Sequence, residues 1–195
     1  MSSSTSPKPA PKCVIVTGRP GAGKTTLARK LAAELYLPLI SRDALKEGFV
    51  HTHGIHEARL PADTKAKVFE CFFEFTRQHL TAGISVVIEA AFQHAAWASR
   101  MDQLANVGRP NLILCTIDPE LAAKRHLQRG LDDPRRTFFH EDRRVTHFQA
   151  TGTMGPPGEY TEPRFDLPTL KVATDDGYTP SLEAIKAFIG DTAAP

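Results

Sequence analysis

The stretch "VIVTGRPGAGKTTLARKLAAEL", Val14 to Leu35, limits what this chain can fold into more than any other part of it. An apolar, β-branched run enters a glycine-rich turn and a helical pattern leaves it, with Gly18, Gly23, Lys24 and Thr25 in the spacing G-x-x-x-x-G-K-[ST]. Glycines let the backbone take positive φ and curl closely around an anion, so that successive amide N–H groups point inward. The helix that follows adds the positive end of its dipole. Gly18, Arg19, Pro20, Gly21, Ala22, Gly23, Lys24, Thr25 and Thr26 therefore form a candidate phosphate-binding loop. Lys24 is expected at the β- and γ-phosphates of a nucleoside triphosphate and the Thr25 hydroxyl at Mg2+. Arg19 and Pro20 occupy variable positions of the pattern and carry little information.

The rest of the chain alternates strand-like and helix-like segments. Strands are expected over Cys13 to Thr17, Pro38 to Ser41, Ile84 to Ala90, Asn111 to Asp118 and Leu170 to Thr174. "ISVVIEA" and "NLILCTID" are the continuous apolar runs of parallel strands buried on both faces. Helices are expected over Lys24 to Leu35, from Asp43 to at least Gly48, and over Ala62 to Thr81, His94 to about Asn106, Leu121 to Arg129 and Ser181 to Ile189, with a short one ending near Gln149. "TGTMGPPGEYTEPRFDLP" reads as a Gly- and Pro-rich connection. Repeated alternation predicts an α/β fold, a parallel sheet with helices on both faces, because parallel neighbours need crossover connections. Ligands on such sheets gather at the carboxyl ends of the strands.

At 195 residues and 41% hydrophobic, the chain is long enough for one such domain, expected over residues 13–190. A formal charge of +2 argues against nucleic acid or a membrane surface as partner. Cys13, Cys71 and Cys115 lie far apart in apolar contexts without metal-ligand spacing and read as buried reduced thiols. "MSSSTSPKPAPK" has no apolar core, so residues 1–12 are expected to be a disordered tail, residues 191–195 another, and the protein cytoplasmic. Nothing in the sequence bears on oligomeric state.

Candidate chemistry follows three strands. In "ISRDALKEGF", Asp43 stands beside Arg42 at a helix entrance, where a carboxylate can take the proton of a substrate hydroxyl as that oxygen attacks the γ-phosphorus, or can cap the helix. Glu89 ends "VVIEA" in the position of a carboxylate that holds Mg2+, or contacts substrate instead. The segment from Lys124 to Arg144 carries seven Lys/Arg against four acidic residues, with Arg125 and Arg129 on one helix face. Such a segment, at about 124–144, can close over phosphates and stabilise the transferred group. The histidines of "HTHGIH", His51, His53 and His56, lack partners at metal-ligand spacing and are expected in a polar loop over the substrate. Trp97 and Arg100 follow the Glu89 strand and are candidates for the acceptor pocket, although a tryptophan such as Trp97 is more often core.

Taken together, the phosphate loop, the Asp43 motif, "VVIEAAF" and the arginine-containing segment resemble the P-loop kinase superfamily of small-molecule and nucleotide kinases. The "S-R-D" after the second strand resembles that of the phage polynucleotide kinase 5′-kinase domain, and the placement of Asp43 resembles the chloramphenicol phosphotransferases. The resemblance covers nearly the whole chain, from Cys13 to Ile189. It implies the P-loop NTPase fold with a five-stranded parallel sheet of order 2-3-1-4-5. It implies Asp43 as base or hydroxyl-orienting residue, Lys24 and Thr25 at ATP and Mg2+, Arg125 and Arg129 over the phosphates, and Thr174 to Tyr178 beside the adenine. Glu89 stands where Asp is more usual. The implied function is ATP- and Mg2+-dependent phosphorylation of a hydroxyl on a small molecule such as a sugar, nucleoside or antibiotic. The alternatives are a 5′-hydroxyl polynucleotide kinase, a toxin-like sugar-nucleotide kinase, or an ATP-binding switch that transfers nothing. The guanine-reading N-K-x-D pattern is absent from the sequence.

Overall fold

The computed structural model describes residues 9–91 and 94–191. Five parallel strands, β1 (Lys12–Gly18), β2 (Leu39–Ser41), β3 (Val86–Glu89), β4 (Arg109–Thr116) and β5 (Thr169–Ala173), form one sheet in the order β2-β3-β1-β4-β5. The order and the parallel pairing are those implied by the resemblance. Register aligns Val16 with Glu89, Ser41 with Glu89, and Gly18 with Cys115, so the carboxyl ends of the strands reach one edge together. Lys12 already belongs to β1, and its amide donates to Ser85 Oγ at 2.9 Å. The tail expected over residues 1–12 is therefore shorter at its inner end. Residues 1–8 and 192–195, where the rest of the tails was expected, lie outside the described residues.

Alternation along the strands feeds two cores. Cys13, Ile15, Ile88 and Leu112 pack with Phe72, Phe73 and Leu80 of α3 (Thr64–Thr81) and Trp97, Met101 and Leu104 of α4 (His94–Ala105). On the opposite face Val14, Val16, Val87 and Ile113 pack with Leu27, Ala28 and Leu31 of α1 (Lys24–Glu34) and Ile185 and Ile189 of α8 (Leu182–Asp191). Helices thus cover both faces. Cys13 and Cys115 are free and buried, and burial pushes both thiols up to about 12; Cys71 is free and only partly buried. No helix among the described residues is long and apolar enough to cross a membrane.

Several boundaries differ from the periodicity. The helix entered at Asp43 is α2 (Arg42–His53), which continues through His51 and His53 until Gly54 closes it at φ 64°. The "HTHGIH" histidines are thus not all in a loop; a 3-10 turn, Glu57–Arg59, follows the helix. The segment expected as a charged lid forms α5 (Pro119–Asp132), α6 (Arg136–Phe139) and α7 (Arg143–Thr151). Asp118 starts α5 by accepting from the amides of Glu120 and Leu121, with Pro119 at the first helical position.

Trp97 is not in the acceptor pocket. It is 1% exposed, boxed by Phe73, Phe69 and Phe72 at ring-centroid distances of 4.7, 5.1 and 5.4 Å. Arg100 lies over Phe69 and Phe73 and pairs with Glu70. Trp97→Ala is expected to cost about 4 kcal/mol of stability. Urea denaturation followed by circular dichroism checks this, since the variant loses the chain's single tryptophan.

Candidate functional site

A cleft of about 580 Å³ opens at the carboxyl edge of the sheet, where β1 turns into α1. Gly18 enters the turn at φ 149°, and a Cβ there would meet the Cys115 carbonyl oxygen at 2.5 Å, so the loop seats on β4 only with glycine. Gly23 is the N-cap of α1 at φ 73°, and a Cβ built on it meets nothing within 4 Å. The space above the loop is open for a ligand. Arg19, Pro20, Gly21, Gly23, Lys24, Thr25 and Thr26 line it; Ala22 is fully buried and gives its carbonyl to Thr174 Oγ1 at 3.1 Å.

Two buried ionisable side chains line this cleft. Lys24 is 9% exposed, its Nζ donating to the Arg19 carbonyl at 2.9 Å. Burial lowers its pKa against the opposing pull of Glu89 and Asp43. Glu89 is 2% exposed, accepts from Ser41 Oγ at 2.9 Å and from Thr25, and is raised by burial. A buried ammonium calls for an anion, and a buried carboxylate beside a hydroxyl offers hard oxygen ligands to a cation. No group of three or more metal-ligating side chains occurs among the described residues. Mg2+ needs none, because it is held through one or two carboxylates, phosphate oxygens and water. Loop, ammonium, Thr25 and Glu89 therefore fit the phosphates of ATP with Mg2+.

Asp43, in the first turn of α2, lines the same cleft. Burial pushes its carboxyl up, but Arg42, Lys46, His140 and Lys24 together outweigh this and hold it below the ordinary value. Arg42 approaches it at 3.6 Å. Arg129 lines the cleft as well. Arg125, expected beside it, does not: its guanidinium donates to the carbonyls of Thr174 and Asp175 at 2.8 and 2.6 Å. The shared helix face is real, but Arg125 lies nearer the start of α5 and reaches the turn after β5. That turn, where the adenine was expected, is bonded to the P-loop through Thr174 and to the Asp118 amide through Asp175.

The opposite wall was not legible in sequence. Lys46 pairs with Glu57 at 3.0 Å and donates to His140 Nδ1 at 3.1 Å, while His140 Nε2 lies 2.7 Å from Glu47. Glu57 also accepts from the Glu141 amide. These bonds join α2 to the lid segment. Lys46 follows Asp43 by one helical turn, which was a usable clue; Glu57 and His140 offered none. His53 and His56 instead bond to the Phe49 carbonyl and the Ala58 amide. Tyr160, from the Gly- and Pro-rich connection, lines the cleft with Arg19 over its ring.

The loop, the buried Lys24 and Glu89 and the all-parallel sheet define a protein of the P-loop kinase superfamily. A family profile described as "AAA domain" (AAA_33) matches residues 13–151, and the chain belongs to that family. Cytidylate kinase of Pyrobaculum neutrophilum is 34% identical over 89 residues, which are 45% of this chain and 47% of that protein. The match thus spans about half the length of that curated relative. Among solved structures, a "putative kinase" of Chloroflexus aurantiacus is 26% identical with a TM-score of 0.69, covering 93% of this chain and 96% of that one. A sugar kinase of Janibacter sp. HTCC2649 is 18% identical with a TM-score of 0.58, covering 94% and 96% of the two chains. The APS kinase CysC of Mycobacterium tuberculosis, solved with AMPPNP and APS, is 14% identical with a TM-score of 0.58, covering 94% and 100%. The likeness to these last two is one of fold.

The α2–lid junction is expected to depend on pH. Burial, Lys46 and Arg136 lower the His140 pKa from 6.5, against the weaker pull of Glu47 and Asp43. The docked form thus binds the proton less readily than an undocked one. The neutral imidazole's contribution to docking is full above pH 6.5 and is lost as pH falls through the lowered value. Proteolysis of the 133–144 segment, normalised to an unfolded control at each pH, should accelerate on acidification in the native chain and much less in His140→Gln.

Proposed function

We propose that this protein transfers the γ-phosphoryl group of ATP, with Mg2+, to a hydroxyl of a small molecule. The observation that carries the reading is a carboxylate, Asp43, in the first turn of α2, lining one cleft with Lys24 and Thr25 of the phosphate loop. In this reading Asp43 orients the acceptor hydroxyl and receives its proton. The hydroxyl oxygen bonds to the γ-phosphorus as the bond to the β–γ bridging oxygen breaks and ADP leaves. Lys24 and Arg129 neutralise charge on the transferred group, and the loop amides hold the β-phosphate. Thr25 and Glu89 would hold Mg2+, which would supply further neutralisation of phosphate charge. The turn carrying Thr174 and Asp175 lies by the adenine, and Arg125 serves it as a positioning residue rather than a phosphate ligand.

A second reading has the 34% identity to cytidylate kinase behind it: the acceptor is then a phosphate group, which needs no base. Incubation with γ-labelled ATP, Mg2+ and a panel of sugars, nucleosides, aminoglycosides, 5′-hydroxyl oligonucleotides and cytidine monophosphate separates them. Label is expected on a small-molecule hydroxyl, with kcat reduced about 100-fold or more in Asp43→Asn and ATP affinity retained. Label on the phosphate of cytidine monophosphate with little dependence on Asp43 overturns the hydroxyl reading. Free phosphate alone, released equally by the variant, overturns transfer itself.

A further inference from the structure

The cleft carries positive charge that neither the protein nor the proposed chemistry uses. Lys46 is committed to Glu57 and His140, and Arg144 to the carbonyls of Met154 and Pro156 at 3.0 Å each. Lys24 and Arg129 answer the triphosphate on the reading above. Lys65 and Arg136 have no such commitment and Arg42 only its ion pair with Asp43, yet all three line the cleft. Arg42 reaches only to 3.6 Å from Asp43, outside hydrogen-bond range. Lys65, exposed in the first turn of α3, makes no hydrogen bond or ion pair among the described residues. Arg136 begins α6 and keeps its Nε buried with no partner. Because α6 packs against α2, Arg136 comes from the same wall as Arg42 and Asp43.

An unmet guanidinium N–H in a cleft costs desolvation, and like charges gathered there repel. Both costs vanish when a ligand brings the opposite charge. The walls concerned are α2, the start of α3 and the lid, on the side of Asp43 where the acceptor hydroxyl would sit. We propose that the acceptor carries, beside its hydroxyl, an anionic group, a phosphate monoester or a carboxylate, held by Arg42, Lys65 and Arg136. The planar arginine forks take either oxyanion through paired N–H bonds, and Lys65 adds a point charge. Arg42 is the neighbour of Asp43 in sequence, so the anion it holds lies a short span from the reacting hydroxyl. This inference rests on the kinase reading for which side of the cleft receives the acceptor; the bonds made and broken in transfer are unchanged.

Inorganic phosphate and acetate serve as probes, titrated by calorimetry into protein saturated with Mg2+ and a non-hydrolysable ATP analogue. The P-loop is then filled, so saturable binding reports the second anion site. The expected result is binding that weakens about tenfold in Lys65→Ala and returns in Lys65→Arg. Preference for phosphate or for acetate then tells the two anion sources apart. Phosphate binding only to nucleotide-free protein, or binding indifferent to Lys65→Ala, overturns the proposal. Turnover separates the two readings: transfer to neutral hydroxyl acceptors as readily as to their phosphorylated or carboxylated counterparts defeats the anionic acceptor and leaves the kinase standing. Loss of the Asp43 dependence defeats the kinase reading while the titration still decides the anion site.

Discussion

Lys24 and Glu89, an ammonium and a carboxylate buried in one cleft at the carboxyl edge of the sheet, set the terms for everything around them. Glu89 and Lys24 are 2% and 9% exposed, and burial works against the charge of both. Removing ions from water is expensive, and their mutual attraction repays the cost only when the remaining hydrogen-bonding capacity is met. Ser41 meets part of it because strand register brings it level with Glu89, and the Arg19 carbonyl meets part of it because the loop curls back over α1. An apolar pair at these positions would give a more stable edge and no site. The β1–α1 loop, the short β2 and the entrance of α2 are all fitted to those two charges.

What could be seen in advance was local. β1, β3 and β4 are buried on both faces, so each is a continuous apolar run, and the P-loop lies within nine consecutive residues. Asp43 and Glu89 were found because strand ends are where such sheets put ligands. The strand order came from resemblance alone, since periodicity does not order strands. Misplaced residues are those whose environment is set from a distance. Trp97 follows the Glu89 strand closely, yet three phenylalanines of α3 claim it for the core. Arg125 shares a helix face with Arg129, but its partners are carbonyls 49 and 50 residues onward. The histidine segment read as a loop because a polar helical end on the surface has no apolar stripe to reveal it; only Gly54 marked its stop.

The two walls of the cleft are held by different kinds of contact. On the P-loop side, Thr174 binds both the Ala22 and the Thr116 carbonyls at 3.1 Å, while Asp175 and Arg125 tie the β5 turn to α5. These are largely bonds to backbone, made by side chains anchored in the sheet or in a long helix. Across the cleft, α2 meets the lid through Lys46, Glu47, Glu57 and His140, polar side chains that water can replace. Bonds of this kind open at less cost than packed apolar contacts do.

Arg125 sits where these two regimes join. It fastens the front of α5 to the turn after β5, while the same helix runs on through Arg129 and Gly130 into the lid, with Val145 of α7 packed closely over Gly130. The helix is therefore clamped at one end and loaded at the other, like a cantilever. Substitutions beyond the clamp can reshape the lid and the chemistry it meets without reaching the P-loop. A lineage could exchange one acceptor for another by rewriting α2 and the lid alone, leaving untouched the half of the cleft built around the phosphate loop.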